Sequence, residues 1–162
     1  SQQTEWPSFD TRFKMNPPLR SAEDRAAVIA GLADNSLEIL ASDHAPHCDH
    51  EKDVEFDYAP FGITGLETEL TVSLSQLYHR NHLSLNDLIA KYTINPAKLL
   101  NLPKGTLTEG ADADVTLFDP DAEWVVNSDS FASKGKNTPL DGSLLKGRVV
   151  ATIVRGKMVH GD

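Results

Sequence analysis

The stretch LEILASDHAPHC, Leu37 to Cys48, decides how this sequence is read. Its first six residues are short, mostly apolar and bounded by polar chain, the pattern of a strand buried on both faces in a parallel sheet. Asp43 follows at the carboxyl end of that strand, where α/β architectures place reactive groups. Three of the chain's six histidines come next, His44, His47 and His50, around Pro46. They lack the i, i+4 spacing with which a helix presents two ligands to one zinc. With Cys48 they leave two readings open, a small metal or catalytic site and a polar loop after a strand. Asp43 likewise either binds a divalent metal and moves a proton, or caps the turn that follows.

Helical signals flank this stretch. Upstream, Ser21 with Asp24 forms a capping-box pattern, and Arg25, Val28, Ile29 and Leu32 keep helical spacing to about Asn35. Downstream, after a polar run to Thr64, residues Leu66, Leu70, Leu74, Leu77 and Tyr78 trace one face of a long helix. Ser84 with Asp87 opens a second, and Asn95-Pro96 reads as the N-cap and first residue of a third. From about Asn101 the runs DVTLF, EWVV, RVVATIV and KMVHG read as strands separated by Gly, Pro, Asp and Asn turns. The expected fold class is therefore α/β, the end of an α/β unit followed by a small β module. A complete (β/α)8 barrel takes about 250 residues, so these 162 read as a piece of something larger.

Hydrophobic residues make up 40% of the chain and charged residues 24%, which fits a soluble globular protein. A formal charge of -9 argues against nucleic acid as a partner, though a small anionic substrate stays open. No apolar stretch reaches the roughly 18 residues of a membrane helix, so no membrane is expected. The opening SQQTEWPSFD lacks the basic flank and apolar core of a secretory signal. Cys48 is alone, excludes an internal disulfide, and makes the cytoplasm the default compartment.

Two further stretches bear on chemistry. In KMNPPLR, Lys14 to Arg20, the following proline pushes Asn16 towards an extended backbone. That rigid segment either presents an amide to a ligand or simply leads into a helix. In YAPFGITGLET, glycine allows close backbone approach, so an N–H near Gly62 is open to a ligand oxygen, or the glycine merely turns the chain. The alternating acids Asp49, Glu51, Asp53, Glu55 and Asp57 read as a solvated loop.

Taken in order, KMNPPLR, SDHAPH, PFGITGLET, NPAKLLNL, KGTLTEGADADVTLFD and GRVVATIVRGKMVHG resemble the C-terminal portion of the long bacterial dihydroorotases. These are cyclic amidohydrolases of the amidohydrolase superfamily, and the resemblance runs from about Asp10 to Gly161. It implies the last strands and helices of a (β/α)8 (TIM) barrel over residues 1–100, and the C-terminal half of a small β-sandwich over 101–162. It implies zinc-dependent, reversible hydrolysis of dihydroorotate to N-carbamoyl-L-aspartate, a step of pyrimidine biosynthesis. Carried over by position, Asp43 would be a metal ligand and the general acid/base, passing a proton from metal-bound hydroxide to the leaving ring nitrogen. Asn16 and His47 would hold the substrate carboxylate, and Phe61 and Gly62 would contact the ring through their backbone. His44 lies inside the motif without a named role, whereas Cys48 and His50 lie outside it.

The family's His-x-His-x-Arg motif, its carboxylated lysine and its further histidines are not in this sequence. The resemblance thus implies one or two Zn2+ per complete site with most ligands upstream, and an isolated chain that is inactive and exposes barrel-facing apolar surface. The implied partners are the missing N-terminal half of the barrel, a second copy, or aspartate transcarbamoylase. Two alternatives stand beside this reading. One is an inactive homologue serving as a structural partner of aspartate transcarbamoylase, against which the intact SDHAPH argues. The other is a hydantoinase or allantoinase, against which Asn16 argues.

Overall fold

Residues 9–161 are described by a computed structural model. Most of the opening stretch read above for a secretory signal lies outside them. The helices are α1 (Ala22–Ala33), α2 (Asp49–Lys52), α3 (Glu69–Ser73), α4 (Leu85–Tyr92) and α5 (Ile94–Leu99). They are followed by strands β1 (Val115–Val125), β2 (Leu144–Val154) and β3 (Lys157–Gly161), hydrogen-bonded in the order β1-β2-β3. Among the described residues no helix is long and apolar enough to cross a membrane.

The chain forms two compact units that interleave along the sequence. The first takes residues up to Ser21, Ser42–Glu69 and Val125–Ser143, and the second takes Ala22–Ala41, Leu70–Trp124 and the residues from Leu144. The second has a leucine core: Leu32, Leu74, Leu77, Leu83 and Leu88 are buried together, with Ile29, Leu40, Leu70 and Phe118 packed against them. Ile29, Leu32, Leu70, Leu74 and Leu77 lie on the helical faces read in the sequence, and each buried leucine contributes about 1.5–3 kcal/mol. The interior of the first unit is largely polar instead, with Lys14, Lys52, Thr64, Asn137 and Thr138 buried beside Ala59, Val126 and Phe131.

Several elements differ from expectation, each for a visible reason. Residues 37–42 do not form a strand; the one parallel bridge nearby joins His44 to Ile63. A parallel strand exists only through a neighbour's ladder, and here the backbone groups find other partners. Leu37 N–H donates to the Gly31 carbonyl (2.8 Å) and Leu40 N–H to the Lys91 carbonyl (3.1 Å). The fully buried Lys91 donates its Nζ to the Leu37 carbonyl (2.8 Å) and to Asn35 Oδ1 (2.9 Å). The long helix expected over Leu66–Tyr78 starts only at Glu69, and from Leu74 to Tyr78 it widens into a π-helical turn.

α4 has the expected cap, with Ser84 Oγ accepting from Asp87 N–H. α5 begins at Ile94, ahead of the predicted Asn95 cap, because the Asn95 amide donates instead to the Glu38 carbonyl (2.8 Å). DVTLF and EWVV fuse into the single strand β1, as Asp119 Oδ1 accepts from Asp121 and Ala122 N–H and carries the chain past Pro120 without leaving the sheet. β2 and β3 form an antiparallel hairpin, with Val154 opposite Lys157 across Arg155 and Gly156, both at positive φ.

Candidate active site

All five predicted site residues fall in the first unit. Asp10 caps the short turn Thr11–Phe13 that leads into them: its carboxylate accepts from Arg12 N–H (2.9 Å) and pairs with the Arg12 guanidinium (2.7 Å). That guanidinium holds the Asp10 carboxyl below its usual range. The turn delivers Lys14, whose carbonyl accepts the Gly62 N–H (3.0 Å). Asn16 lies just beyond and is exposed.

Asp43, also exposed, immediately precedes the His44–Ile63 bridge, where Ala45 N–H donates to the Ile63 carbonyl (2.9 Å). His44 acquires a role here. Its Nδ1 accepts from the backbone N–H of Gly65 (3.1 Å) and of Leu66 (3.3 Å), the first amides of the turn leading to α3. Since amides only donate, Nδ1 is the bare nitrogen and Nε2 carries the hydrogen, 3.5 Å from Ser133 Oγ.

His47 is half-buried, and its Nε2 lies 2.9 Å from the Phe61 carbonyl. Its Nδ1 lies 3.7 Å from Glu51, which also accepts from Cys48 N–H (2.8 Å), a bond that lowers the Glu51 carboxyl below its ordinary value. Gly62 lies tight against this loop. At φ +128° it sits where side chains rarely go, and an added Cβ would lie 2.6 Å from Ala45 Cβ and 3.3 Å from His47 Nε2. Glycine is what allows the approach.

The Gly62 amide, read from sequence as open to a ligand, is therefore taken by Lys14. The Phe61 and Gly62 carbonyls are likewise engaged within the unit. What these loops present to the outside is the Asn16 amide, the Asp43 carboxylate and the Phe61 ring, the last 57% exposed, beside part of the His47 ring.

Three residues that hold the site were not read from sequence. Lys52, in the loop of alternating acids, is buried and donates to the carbonyls of Pro60 (2.9 Å), Gly62 (3.1 Å) and Lys14 (3.4 Å). Burial holds its pKa down, and the charge on Lys14 adds to this. Lys14 Nζ donates to the carbonyls of Phe56 (2.7 Å) and Asp57 (3.1 Å) and lies 4.7 Å from the Phe61 ring centroid. Asn137 binds both His47 and Gly62. None carries a local signal, since each acts on backbone groups brought together only by folding.

Residues 13–159 match the amidohydrolase family. The chain belongs to that family. It is 53% identical over 154 residues to a dihydroorotase of Pelotomaculum thermopropionicum, covering 95% of this chain and 36% of that protein. It is 48% identical over 156 residues to a dihydroorotase of Bacillus subtilis, covering 96% and 36%. Among solved structures it resembles the L-hydantoinase (dihydropyrimidinase) of Arthrobacter aurescens at 35% identity, with a TM-score of 0.85 over 91% of this chain and 34% of that one. A D-hydantoinase from a Bacillus sp. AR9 is similar at 27% identity and a TM-score of 0.86, over 94% and 34%. This amidohydrolase chain thus spans little more than a third of the length of the relatives it matches.

The amidohydrolase family implies a metal cofactor. Zinc takes three or four protein ligands, and the described residues bring together no group of three or more His, Cys, Asp or Glu side chains able to hold a metal ion. The described residues of this amidohydrolase chain therefore do not compose a metal centre by themselves.

Proposed function

We propose that this chain is the C-terminal part of a dihydroorotase, which in complete form hydrolyses dihydroorotate reversibly to N-carbamoyl-L-aspartate in the cytoplasm. The observation that carries the reading is that Asn16, Asp43, His47, Phe61 and Gly62 all lie in one compact unit. Identity of about half to proteins named dihydroorotase supports it. In this reading residues 1–100 carry the last strands and helices of a (β/α)8 barrel, and 101–162 the C-terminal half of a β-sandwich. The extended segment ending at Asp43 would gain its strand ladder from the rest of the barrel.

The exposed Asp43 carboxylate serves as general acid/base, taking a proton from the attacking water and returning it to the leaving ring nitrogen. Asn16 and His47 hold the substrate carboxylate, His47 in the doubly protonated form in which both ring nitrogens donate, and Phe61 and Gly62 form the wall against the ring. The Zn2+ cofactor takes its remaining ligands from the rest of the protein, so the isolated chain is inactive. A second copy or aspartate transcarbamoylase completes the set of partners.

A hydantoinase is the second reading, favoured by the likeness to the Arthrobacter enzyme. The test offers dihydroorotate, hydantoin and allantoin to the complete protein supplied with zinc. Dihydroorotate is expected to be preferred, and Asn16→Ala is expected to raise its KM about tenfold, the worth of one hydrogen bond to a charged group. Preference for a ring without a carboxylate would move the assignment to hydantoin or allantoin. A folded, metal-loaded protein that turns over none of the three would be an inactive homologue.

A further inference from the structure

We infer that Asn137 is a positioning residue that fixes His47 and Gly62 relative to one another; the kinetic part of this inference rests on the substrate reading above. Asn137 lies 90 residues from His47 and is only 6% exposed. Its Oδ1 accepts from the His47 backbone N–H (2.7 Å), and its Nδ2 donates to the Gly62 carbonyl (3.0 Å). Its own carbonyl accepts from Thr64 N–H (3.0 Å) and Thr64 Oγ1 (3.3 Å). The amide orientation follows from its neighbours, because a backbone N–H only donates and a carbonyl only accepts.

These bonds close a ring. His47 N–H meets one end of the Asn137 amide and the Gly62 carbonyl meets the other. The preceding carbonyl, that of Phe61, returns to His47 through the ring Nε2 at 2.9 Å. The loop bearing the proposed carboxylate-binding histidine and the loop forming the proposed ring wall are thus held by one planar group. The neighbouring backbone is fitted to the same loop: a Cβ on Gly135 would lie 2.6 Å from the His47 carbonyl and 2.9 Å from its nitrogen.

The chemistry is narrow. Aspartate keeps an acceptor for His47 N–H but turns an oxygen towards the Gly62 carbonyl. Serine cannot reach both partners. An apolar residue leaves a buried donor and a buried acceptor unpaired. Asparagine supplies a donor and an acceptor at a fixed separation on one side chain. A purely structural residue would affect all substrates and the fold alike, whereas a positioning residue shifts recognition of the group that His47 meets.

The test compares Asn137→Asp and Asn137→Ser with wild type in the complete, zinc-loaded protein. It reads steady-state kinetics on dihydroorotate, bound zinc, and hydrogen exchange at the His47 amide. The expected result is faster exchange at His47 in Asn137→Ser, and in both variants unchanged zinc and a dihydroorotate KM raised about tenfold while kcat changes less. Unchanged exchange at His47 in Asn137→Ser, or an unchanged KM in both variants, overturns the inference, and so does loss of zinc with a fall in kcat. If wild type itself does not hydrolyse dihydroorotate, the substrate reading fails, and exchange at His47 alone decides whether Asn137 holds the loop.

Discussion

The imidazole Nε2 of His47 donates to the carbonyl oxygen of Phe61 across 2.9 Å. A carbonyl only accepts, so the neutral ring carries its hydrogen on Nε2, and the nitrogen left for other partners is Nδ1, facing Glu51 at 3.7 Å. Nitrogen-15 shifts of His47 in the complete, substrate-free protein should report the Nε2–H form of the neutral ring. The Nδ1–H form would mean that the Phe61 contact is absent and that the two loops meet differently.

Gly62→Ala should damage this contact directly. The new methyl would approach Ala45 Cβ to 2.6 Å and the Ala45 carbonyl to 2.9 Å, from a residue at φ +128°. Strain of this kind costs on the order of 1–3 kcal/mol. The complete protein should show a lower denaturant midpoint together with a raised KM. An alanine variant matching wild type in both would show that the loops are not packed as described.

The contrast between Asp43 and Asn137 shows what the sequence made legible. Asp43, His47 and Gly62 stand in short runs whose residue types announce chemistry or close approach, and the helical segments around Leu32 and Leu74 follow from apolar spacing. Asn137, Lys14 and Lys52 act on backbone carbonyls and amides up to 90 positions away, and residue type says nothing of such partners. Residues 37–42 have the composition of a buried strand, but a strand also needs a neighbour's ladder. Its absence here left backbone groups to Lys91 and Asn95. Asp119 hid the continuity of β1, because a side chain that satisfies two amides reads in sequence as a turn.

Lys52→Met keeps most of the side-chain volume and removes the donor shared by the Pro60, Gly62 and Lys14 carbonyls. Leaving a buried acceptor unpaired costs roughly 1–3 kcal/mol. The variant should lose stability by that order in chemical denaturation, with faster amide exchange at Gly62. A variant as stable as wild type, with Gly62 still protected, would remove Lys52 from the scaffold.

Glu69 gives a pH dependence with a definite sign. Burial raises its carboxyl above the ordinary 4.5, against the opposing pull of the Ser42 hydroxyl and of His44. A raised folded-state pKa means that the folded form binds the proton more tightly than the unfolded form. The contribution is complete below about pH 4.5 and is lost as pH rises through the raised value. Glu69→Gln should therefore flatten the fall in stability of the complete protein across that interval, read as denaturant midpoints against pH. Parallel curves for the two proteins would show that Glu69 titrates as an exposed carboxylate.

The most direct test of the central claim is dihydroorotate hydrolysis by the complete, zinc-supplemented protein, with Asp43→Asn assayed beside it. Turnover is expected from wild type and none above background from the variant, which keeps the shape of the side chain but cannot carry the proton. Turnover by the Asp43→Asn variant at the wild-type rate would contradict the claim, removing Asp43 from the chemistry.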